Sequence, residues 1–182
     1  MGEKKRRLFF ALVPDAGERL ALRRMLESAA LEGGRRVPDE QWHVTLVFLG
    51  GVVDSRVACL IQAARSVRGQ PFELILDRIG YWRRSQLLWL GSTAMPAELQ
   101  TLVEELRAAV APCEIALDDR PFKAHVTLVR DLRRRPGPRS IDPVAWRVTR
   151  FSLMESLPTN GGVDYRVVES WDLGRNSAME SA

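Results

Sequence analysis

The sequence predicts an α+β protein in which a strand–helix–strand module occurs twice. The first observation is that residues 43–47 and 125–129 carry the same five letters, HVTLV, which indicates an internal repeat. The second is that each copy ends a segment with the same order of patterns, in residues 6–49 and again in residues 86–130. The third is a hydrophobic content of 46% over 182 residues, enough for a substantial core.

The first module is predicted from a short apolar run, a helical pattern and a β-branched run. The apolar run stops at Pro14, and its length favours a buried strand. Asp15 caps the helical pattern, and Gly33 and Gly34 follow it. The predicted elements are a strand over 6–13, a helix over 16–31 and the motif strand over 42–49, closed by Gly50 and Gly51.

The middle of the chain continues with alternating helical and strand patterns into the second module. Asp54 or Ser55 can cap the next helix, and Pro96 suits the first turn of the one after. Whether residues 115–117 form a short strand stays undecided at this point. The predicted elements are a helix to Arg68, a strand over 72–82, a turn at 83–85, a strand over 86–91, a helix over 98–110 and the second motif strand within 121–130.

The C-terminal part is predicted as a loop followed by two strands. Residues 131–143 contain three prolines and three consecutive arginines, which indicates a loop. Residues 146–156 and 165–173 are strand-like, with a hairpin turn between them at residues 160–162. We expect residues 1–174 to form a single domain with two lobes, and residues 175–182 to form a flexible tail.

Charge, cysteines and hydropathy limit the function classes. The net charge of +4 tolerates a polyanionic partner without requiring one. The two cysteines, Cys59 and Cys113, have no CxxC spacing, and a reducing cytoplasm is the simplest setting for them. The apolar run from Leu8 to Val13 is too short for a signal peptide, and no run approaches the length of a membrane span. We therefore expect a soluble, cytoplasmic monomer with no membrane partner.

The repeated stretch contains the only two histidines of the chain. Alternate residues of a strand share a face, so His43 projects with Thr45, and His125 with Thr127. Val44, Leu46 and Phe48, with their counterparts Val126 and Leu128, would then anchor the opposite face on helices. If the two modules pack about an approximate two-fold axis, the two His/Thr pairs face each other across a cleft.

Two opposed imidazoles suit a displacement at phosphorus in which one takes a proton and the other gives one. The threonines would bond the non-bridging phosphate oxygens. Two histidines without nearby Cys, Asp or Glu make a poor metal site, so we expect no metal and no cofactor. The alternative, that each histidine is only a satisfied core residue, loses weight because both motifs carry the same pair.

The two motifs differ three residues beyond the threonine, where the first has Phe48 and the second has Arg130. A guanidinium there could reach the phosphate, although a surface salt bridge is the alternative. The run 133–135 favours a solvated loop over a specific RNA contact. Three aromatic residues could stack on a base, with core packing as the more common role: Trp42, Trp82 and Phe122.

These residues together resemble a known family. The features are the paired His-x-Thr motifs, the opening residues 7–11 (RLFFA), the extension from His43 to Gly50, the run Arg120-Pro121-Phe122, and Arg130. They are similar to the bacterial RNA 2′,3′-cyclic phosphodiesterases, also called 2′-5′ RNA ligases, of the two-histidine (2H) phosphoesterase superfamily. The resemblance covers roughly residues 6–173. Ala124, where the family usually has proline, and Trp42 depart from the pattern without removing a reacting group.

The resemblance implies two pseudo-symmetric lobes, each an antiparallel sheet with helices on its outer face, and an active-site cleft between them. It implies metal-independent hydrolysis of RNA 2′,3′-cyclic phosphate ends, or of a cyclic nucleotide, to 2′-phosphomonoesters. By that similarity His43 is the proton donor and His125 the proton acceptor, while Thr45, Thr127 and Arg130 hold the phosphate.

Two other functions stay open at this point. One is the reverse reaction, which joins RNA ends through a 2′-5′ linkage. The other is a non-catalytic protein that binds RNA ends or nucleotides in the same cleft.

Overall fold

The computed structural model describes residues 3–29, 33–137 and 141–174. Within them the helices are α1 (Ala16–Ser28), α2 (Asp54–Ser66) and α3 (Ala97–Val110). The strands are β1 (Lys5–Leu12), β2 (Arg35–Arg36), β3 (Val44–Val53), β4 (Phe72–Leu76), β5 (Arg78–Trp82), β6 (Leu87–Gly91), β7 (His125–Arg130), β8 (Val144–Val148), β9 (Arg150–Thr159) and β10 (Gly162–Asp172). The tail predicted at 175–182 lies outside the described residues.

The main sheet is antiparallel and has two halves that meet at the motif strands. Its order is β10-β9-β1-β3-β7-β6-β5, with β2 beside β7, and β4 pairs with β8 in a separate ribbon. The halves are joined by a single residue pair, Val44 of β3 with Val126 of β7. One lobe is therefore β10-β9-β1-β3 and the other is built on β7-β6-β5, which confirms the predicted α+β class with two antiparallel lobes.

The helices cover the sheet face opposite to the histidines. Along β1, Leu8 and Phe10 belong to the main core together with the buried faces of all three helices. Phe9 points to the other face and packs in a small separate cluster with Met154 and Tyr165. The rings of Phe9 and Tyr165 both contact His43, so the imidazole lies on the helix-free face. The alternation of β1 thus separates a structural face from a chemical one.

The first helix begins as predicted and ends earlier. The Asp15 carboxylate accepts hydrogen bonds from the N–H groups of Gly17 and Glu18, and the Glu18 side chain bonds back to Asp15 N–H. This capping box fixes the start of α1. The helix ends at Ser28 instead of residue 31, and residues 30–32 lie outside the described part of the chain.

Two long predicted strands are each two strands in the structure. Residues 72–82 divide at Asp77, where β4 leaves for the ribbon and β5 joins β6. Asp77 stabilises this change of sheet, because its N–H donates to Gly91 and its carboxylate accepts from Thr93 N–H. Residues 146–156 divide in the same way at Thr149, between β8 and β9. Residues 115–117 form no strand.

The prediction that Gly50 and Gly51 close the first motif strand is wrong. β3 continues to Val53, with Gly50 paired to Leu8 and Gly51 to Arg7. Gly50 has a φ of 72°, a left-handed conformation that glycine adopts without strain. The glycines therefore allow an irregularity inside the strand and do not end it.

The two cysteines, for which the sequence favours a reducing environment, are paired in the structure. Cys59 of α2 forms a disulfide with Cys113, in the 3₁₀ turn Ala111–Cys113 that follows α3. The two residues are 54 positions apart, and only the packing of α2 against α3 brings them together. The Arg56 guanidinium donates to the Cys113 and Glu114 carbonyl oxygens at the same contact. In the part of the chain that the structure describes, no helix is long and apolar enough to cross a membrane.

Candidate active site

The pairing of the motif strands brings the two histidines onto one face about an approximate two-fold axis. Val44 and Val126 are opposite each other, and both point into the core. Extending this antiparallel register by one residue places His43 opposite Thr127, and His125 opposite Thr45. The side chains of these four residues lie on the face away from the core. The axis passes between the two valines.

Each imidazole is held by the backbone carbonyl two residues before it. Nδ1 of His43 is 2.7 Å from the Gln41 carbonyl oxygen, and Nδ1 of His125 is 2.8 Å from that of Lys123. Because a carbonyl oxygen only accepts, Nδ1 must be the donor in both rings. Nε2 is then the atom left to exchange protons in each imidazole. The repeat therefore fixes the same tautomer twice.

His43 lies between two aromatic rings that shield it from water. The ring centroids of Phe9 and Tyr165 are 5.0 and 4.9 Å from that of the imidazole. This burial lowers the pKa of His43 to about 4, and the nearby charges of His125 and Arg130 act in the same direction. His43 is therefore neutral at pH 7.

His125 has its own aromatic neighbour. The Trp82 ring meets the imidazole edge to face, with centroids 4.5 Å apart. Burial lowers the pKa of His125, and the cationic Lys123 and Arg130 lower it further. The counterpart of Lys123 in the first motif is the neutral Gln41, so the two imidazoles differ in the charge beside them.

A β-bulge in the first motif turns Phe48 toward the histidine face. Thr45 pairs with Ala11 and Val47 with Phe10, so Leu46 is the extra residue. The bulge reverses the alternation, and Phe48, paired with Phe9, comes onto the same face as Thr45. Phe48 is 39% exposed, and the prediction that it anchors the strand on helices is therefore wrong.

The second motif carries the same irregularity. Thr127 pairs with Trp89 and Val129 with Leu88, which leaves Leu128 as the extra residue. Arg130 is thereby turned to the histidine face, in the position that Phe48 occupies in the first motif. The structure records no ion pair for Arg130 among the described residues, so the salt-bridge alternative has no support there.

A cavity of about 1220 Å³ opens over the histidine face of the first lobe. His43, Thr45 and Arg130 line it, and so does Arg35, which pairs with Arg130 across β2 and β7. His125 and Thr127 do not belong to its wall and lie across the junction of the two lobes. The structure thus brings the five predicted residues to one face, with three of them in the cavity. Within the described ranges, no group of three or more His, Cys, Asp or Glu side chains could hold a metal ion.

The other sequence candidates divide between core and site. Trp42 is 3% exposed and belongs to the main core. Phe122 is partly buried and packs against the same core. Trp82 contacts His125, and the arginines at 133–135 are exposed on a loop. Sequence reasoning missed Tyr165 altogether, because it comes from β10, far from both motifs along the chain. The carbonyl contacts to the imidazoles were missed because a backbone atom leaves no signal in the sequence.

Comparison with known proteins agrees with this geometry. The model of the family described as LigT-like phosphoesterase matches residues 12–89. The RNA 2′,3′-cyclic phosphodiesterase of Escherichia coli K12 is 34% identical over 146 residues, which covers 78% of this chain and 81% of that protein. The chain belongs to the LigT-like phosphoesterase family.

Other relatives match over nearly the full length of this chain. The RNA 2′,3′-cyclic phosphodiesterase of Thermus thermophilus is 30% identical, and the match covers 97% of this chain and 94% of that protein. The crystal structure of E. coli LigT complexed with 3′-AMP superposes with a TM-score of 0.86 at 32% identity, covering 94% of this chain and all of that one. A crystal structure from T. thermophilus gives a TM-score of 0.75 at 28% identity, covering 92% of this chain and 97% of that one. The family resemblance and the fold inferred from the sequence are confirmed.

Proposed function

We propose that this chain hydrolyses 2′,3′-cyclic phosphate ends of RNA to 2′-phosphomonoesters by metal-independent acid–base catalysis. The observation that carries the proposal is the pair of identically held imidazoles, each with Nε2 left to exchange protons and each opposite a threonine. In an in-line displacement at phosphorus, one imidazole of such a pair can take a proton from the nucleophile and the other can give a proton to the leaving oxygen. The names of the relatives support RNA as the substrate class.

In the proposed mechanism Nε2 of His125 takes a proton from water as the water oxygen attacks phosphorus. The bond from phosphorus to the 3′-oxygen breaks, and Nε2 of His43 gives its proton to that oxygen. The phosphate stays on the 2′-oxygen. The hydroxyls of Thr45 and Thr127 and the guanidinium of Arg130 bind the non-bridging oxygens, where negative charge accumulates.

The lowered pKa values suit these roles unequally. A base must be neutral, and the burial and the cations around His125 favour that state by lowering its pKa. An acid must be protonated, whereas burial lowers the pKa of His43 and leaves it neutral at pH 7. We propose that the negative charge of the bound phosphodiester raises the pKa of His43 and supplies the protonated form, because an anion close by stabilises the imidazolium.

The test is hydrolysis of a 2′,3′-cyclic nucleotide and of an oligoribonucleotide with a cyclic end, both in EDTA. Replacing either histidine with alanine should lower the rate by about 10²- to 10⁴-fold. Arg24→Gln is a matched surface control, since Arg24 is exposed on α1 away from the cavity. Absence of turnover by the wild type, or a fully active His43→Ala or His125→Ala variant, would exclude the mechanism.

Two alternatives give different results in the same assay. Binding of the cyclic end without turnover, lost in the histidine variants, would identify a non-catalytic binding protein. Formation of 2′-5′ linked products from cyclic and 5′-hydroxyl ends would reveal ligation, in which the 5′-hydroxyl replaces water as the nucleophile and the same bond from phosphorus to the 3′-oxygen breaks.

We further propose a cytoplasmic monomer with a single domain over residues 1–174. The pairing of β1 with both β3 and β9 supports the single domain, since it joins the two ends of the chain in one sheet. Because the two cysteines form a disulfide, they no longer support a reducing compartment. The support for a cytoplasmic location is the RNA substrate class. Cell fractionation and sedimentation equilibrium test these points.

A further inference from the structure

A solvent-accessible aromatic surface lies beyond the phosphate-binding threonine of the first lobe. The Phe48 ring is 39% exposed, and the guanidinium carbon of Arg7 lies 5.0 Å from its centroid. Both residues line the cavity that contains His43 and Thr45. We call this pair the Arg7–Phe48 surface. Arginine planes and aromatic rings are the groups on which nucleobases stack in proteins that bind single strands.

Two glycines of β3 border this surface. Gly51 pairs with Arg7, and a Cβ at Gly51 would lie 3.7 Å from the Lys5 side chain. A Cβ at Gly50 would lie 3.8 Å from the Phe48 ring. Because neither residue has a side chain, nothing from β3 rises between Phe48 and Lys5. Lys5, Arg7 and Phe48 therefore line the same stretch of the cavity wall, which we call the floor.

The charge around the floor is positive and largely uncompensated. Among the described residues that line the cavity, Glu155 is the one carboxylate, and it is already bound by Arg6 and Arg166. Lys4, Lys5 and Arg7 line the same cavity, and no carboxylate partner is recorded for them within the described residues. Cations in this arrangement attract the phosphates of a nucleic acid strand.

The size of the cavity, and the lysines that continue its wall beyond Phe48, favour more than one nucleotide. Thr45 and Phe48 pair with Ala11 and Phe9, which are two residues apart on β1, so the bulge leaves Phe48 about 7 Å beyond Thr45, at roughly 3.3 Å per residue. The base of the terminal nucleotide is separated from the cyclic phosphate by one ribose. The base of the penultimate nucleotide is farther away by one more ribose and one phosphodiester. The cavity volume of about 1220 Å³ exceeds the roughly 300–1,000 Å³ of small-molecule sites.

We propose that the Arg7–Phe48 surface binds the base of the penultimate nucleotide, and that Lys4 and Lys5 bind the backbone phosphate before it. The inference rests on the proposed function and adds to it a preference for an RNA strand over a cyclic mononucleotide. Stacking does not read the hydrogen-bonding edges of a base, so the surface accepts all four bases.

The experiment compares three substrates that end in the same cyclic nucleotide: the mononucleotide, a short oligoribonucleotide, and that oligoribonucleotide with an abasic penultimate position. In the wild type, kcat/KM should fall about 10-fold or more when the penultimate base is removed, the size expected for stacking of one base. In Phe48→Leu the intact oligonucleotide should lose a similar factor, and removal of the base should then change nothing further. Arg7→Gln should behave alike and should also weaken the salt dependence of kcat/KM for the oligonucleotide.

The controls separate this proposal from folding defects and from the proposed function. Arg24→Gln removes an exposed charge outside the cavity and should leave the ratio between the three substrates unchanged. Thermal denaturation of each variant checks its folding. Turnover of the mononucleotide by the wild type tests the proposed function by itself. If Phe48→Leu lowers kcat/KM for the intact and the abasic oligonucleotide by the same factor, or for neither, the Arg7–Phe48 surface does not bind the penultimate base.

Discussion

Replacing Tyr165 with alanine should raise the pKa of the His43 imidazole. The Tyr165 ring covers one side of His43 and the Phe9 ring covers another, at centroid distances of 4.9 and 5.0 Å. Burial is the largest cause of the fall in pKa from 6.5 to about 4. Removing one ring admits water, which stabilises the imidazolium, so the pKa moves upward.

The magnitude follows from the size of the shift. A fall in pKa from 6.5 to about 4 corresponds to about 3 kcal/mol of preference for the neutral ring, at about 1.4 kcal/mol per unit. One of the two covering rings remains in Tyr165→Ala, so we expect about one unit of recovery. At pH 5 this raises the protonated fraction of His43 from roughly a tenth to about one half.

The assay is a pH titration of the imidazole nitrogens by NMR, which the chain suits because it contains only two histidines. His43 should move in Tyr165→Ala while His125 keeps its wild-type pKa. Trp82→Ala is the matched control and should move His125 alone, since Trp82 contacts that imidazole. A His43 that still titrates near 4 without Tyr165, or that titrates at about 6 or above in the wild type, would refute the role given to burial.

Three further predictions concern stability. Arginine contacts lower the pKa of Glu155 from 4.5 to about 2, so its contribution is complete above about pH 4.5 and is lost as the pH falls toward 2. Glu155→Gln should therefore lower the free energy of unfolding by about 3 kcal/mol at pH 7 and hardly at pH 2, as measured by urea denaturation. Gly80→Ala should cost about 1–3 kcal/mol in a thermal melt, because the new Cβ would lie 2.0 Å from the Trp89 indole. Reduction of the Cys59–Cys113 bond, or Cys59→Ser, should lower the free energy of unfolding by up to about 4 kcal/mol, given a separation of 54 residues.

Each of these has an outcome that contradicts it. An equal loss of stability at pH 7 and pH 2 in Glu155→Gln would mean that the carboxylate charge contributes nothing. An unchanged melting temperature in Gly80→Ala would mean that the indole does not lie against Gly80. A protein equally stable with and without reductant would mean that the disulfide does not form in solution.

Much of the fold was predictable because local patterns reflect local structure. The start of α1 was predicted from Asp15, which forms the capping box. The two motif strands were predicted from their β-branched residues and are β3 and β7. At Asp77 the strand crosses from one sheet to another and the alternation shifts, because β4 buries Leu74 and Leu76 whereas Ile79 and Tyr81 of β5 pack against the core. The prediction of one strand over 72–82 passed over this shift. The disulfide was missed because the number of residues between the two cysteines does not reveal that α2 and α3 pack side by side.

The sequence by itself determined which residues could do chemistry, because an identical pentapeptide around the only two histidines repeats both the reacting group and the strand that carries it. Only the tertiary structure decided to which face of the sheet the neighbouring side chains point. The bulges at Leu46 and Leu128 reverse the alternation and bring Phe48 and Arg130 to the histidine face. A bulge depends on the partner strand, so a single strand read alone cannot reveal it. The packing of β10 on β9 likewise places Tyr165 against His43, and with it the environment that sets the pKa of the imidazole.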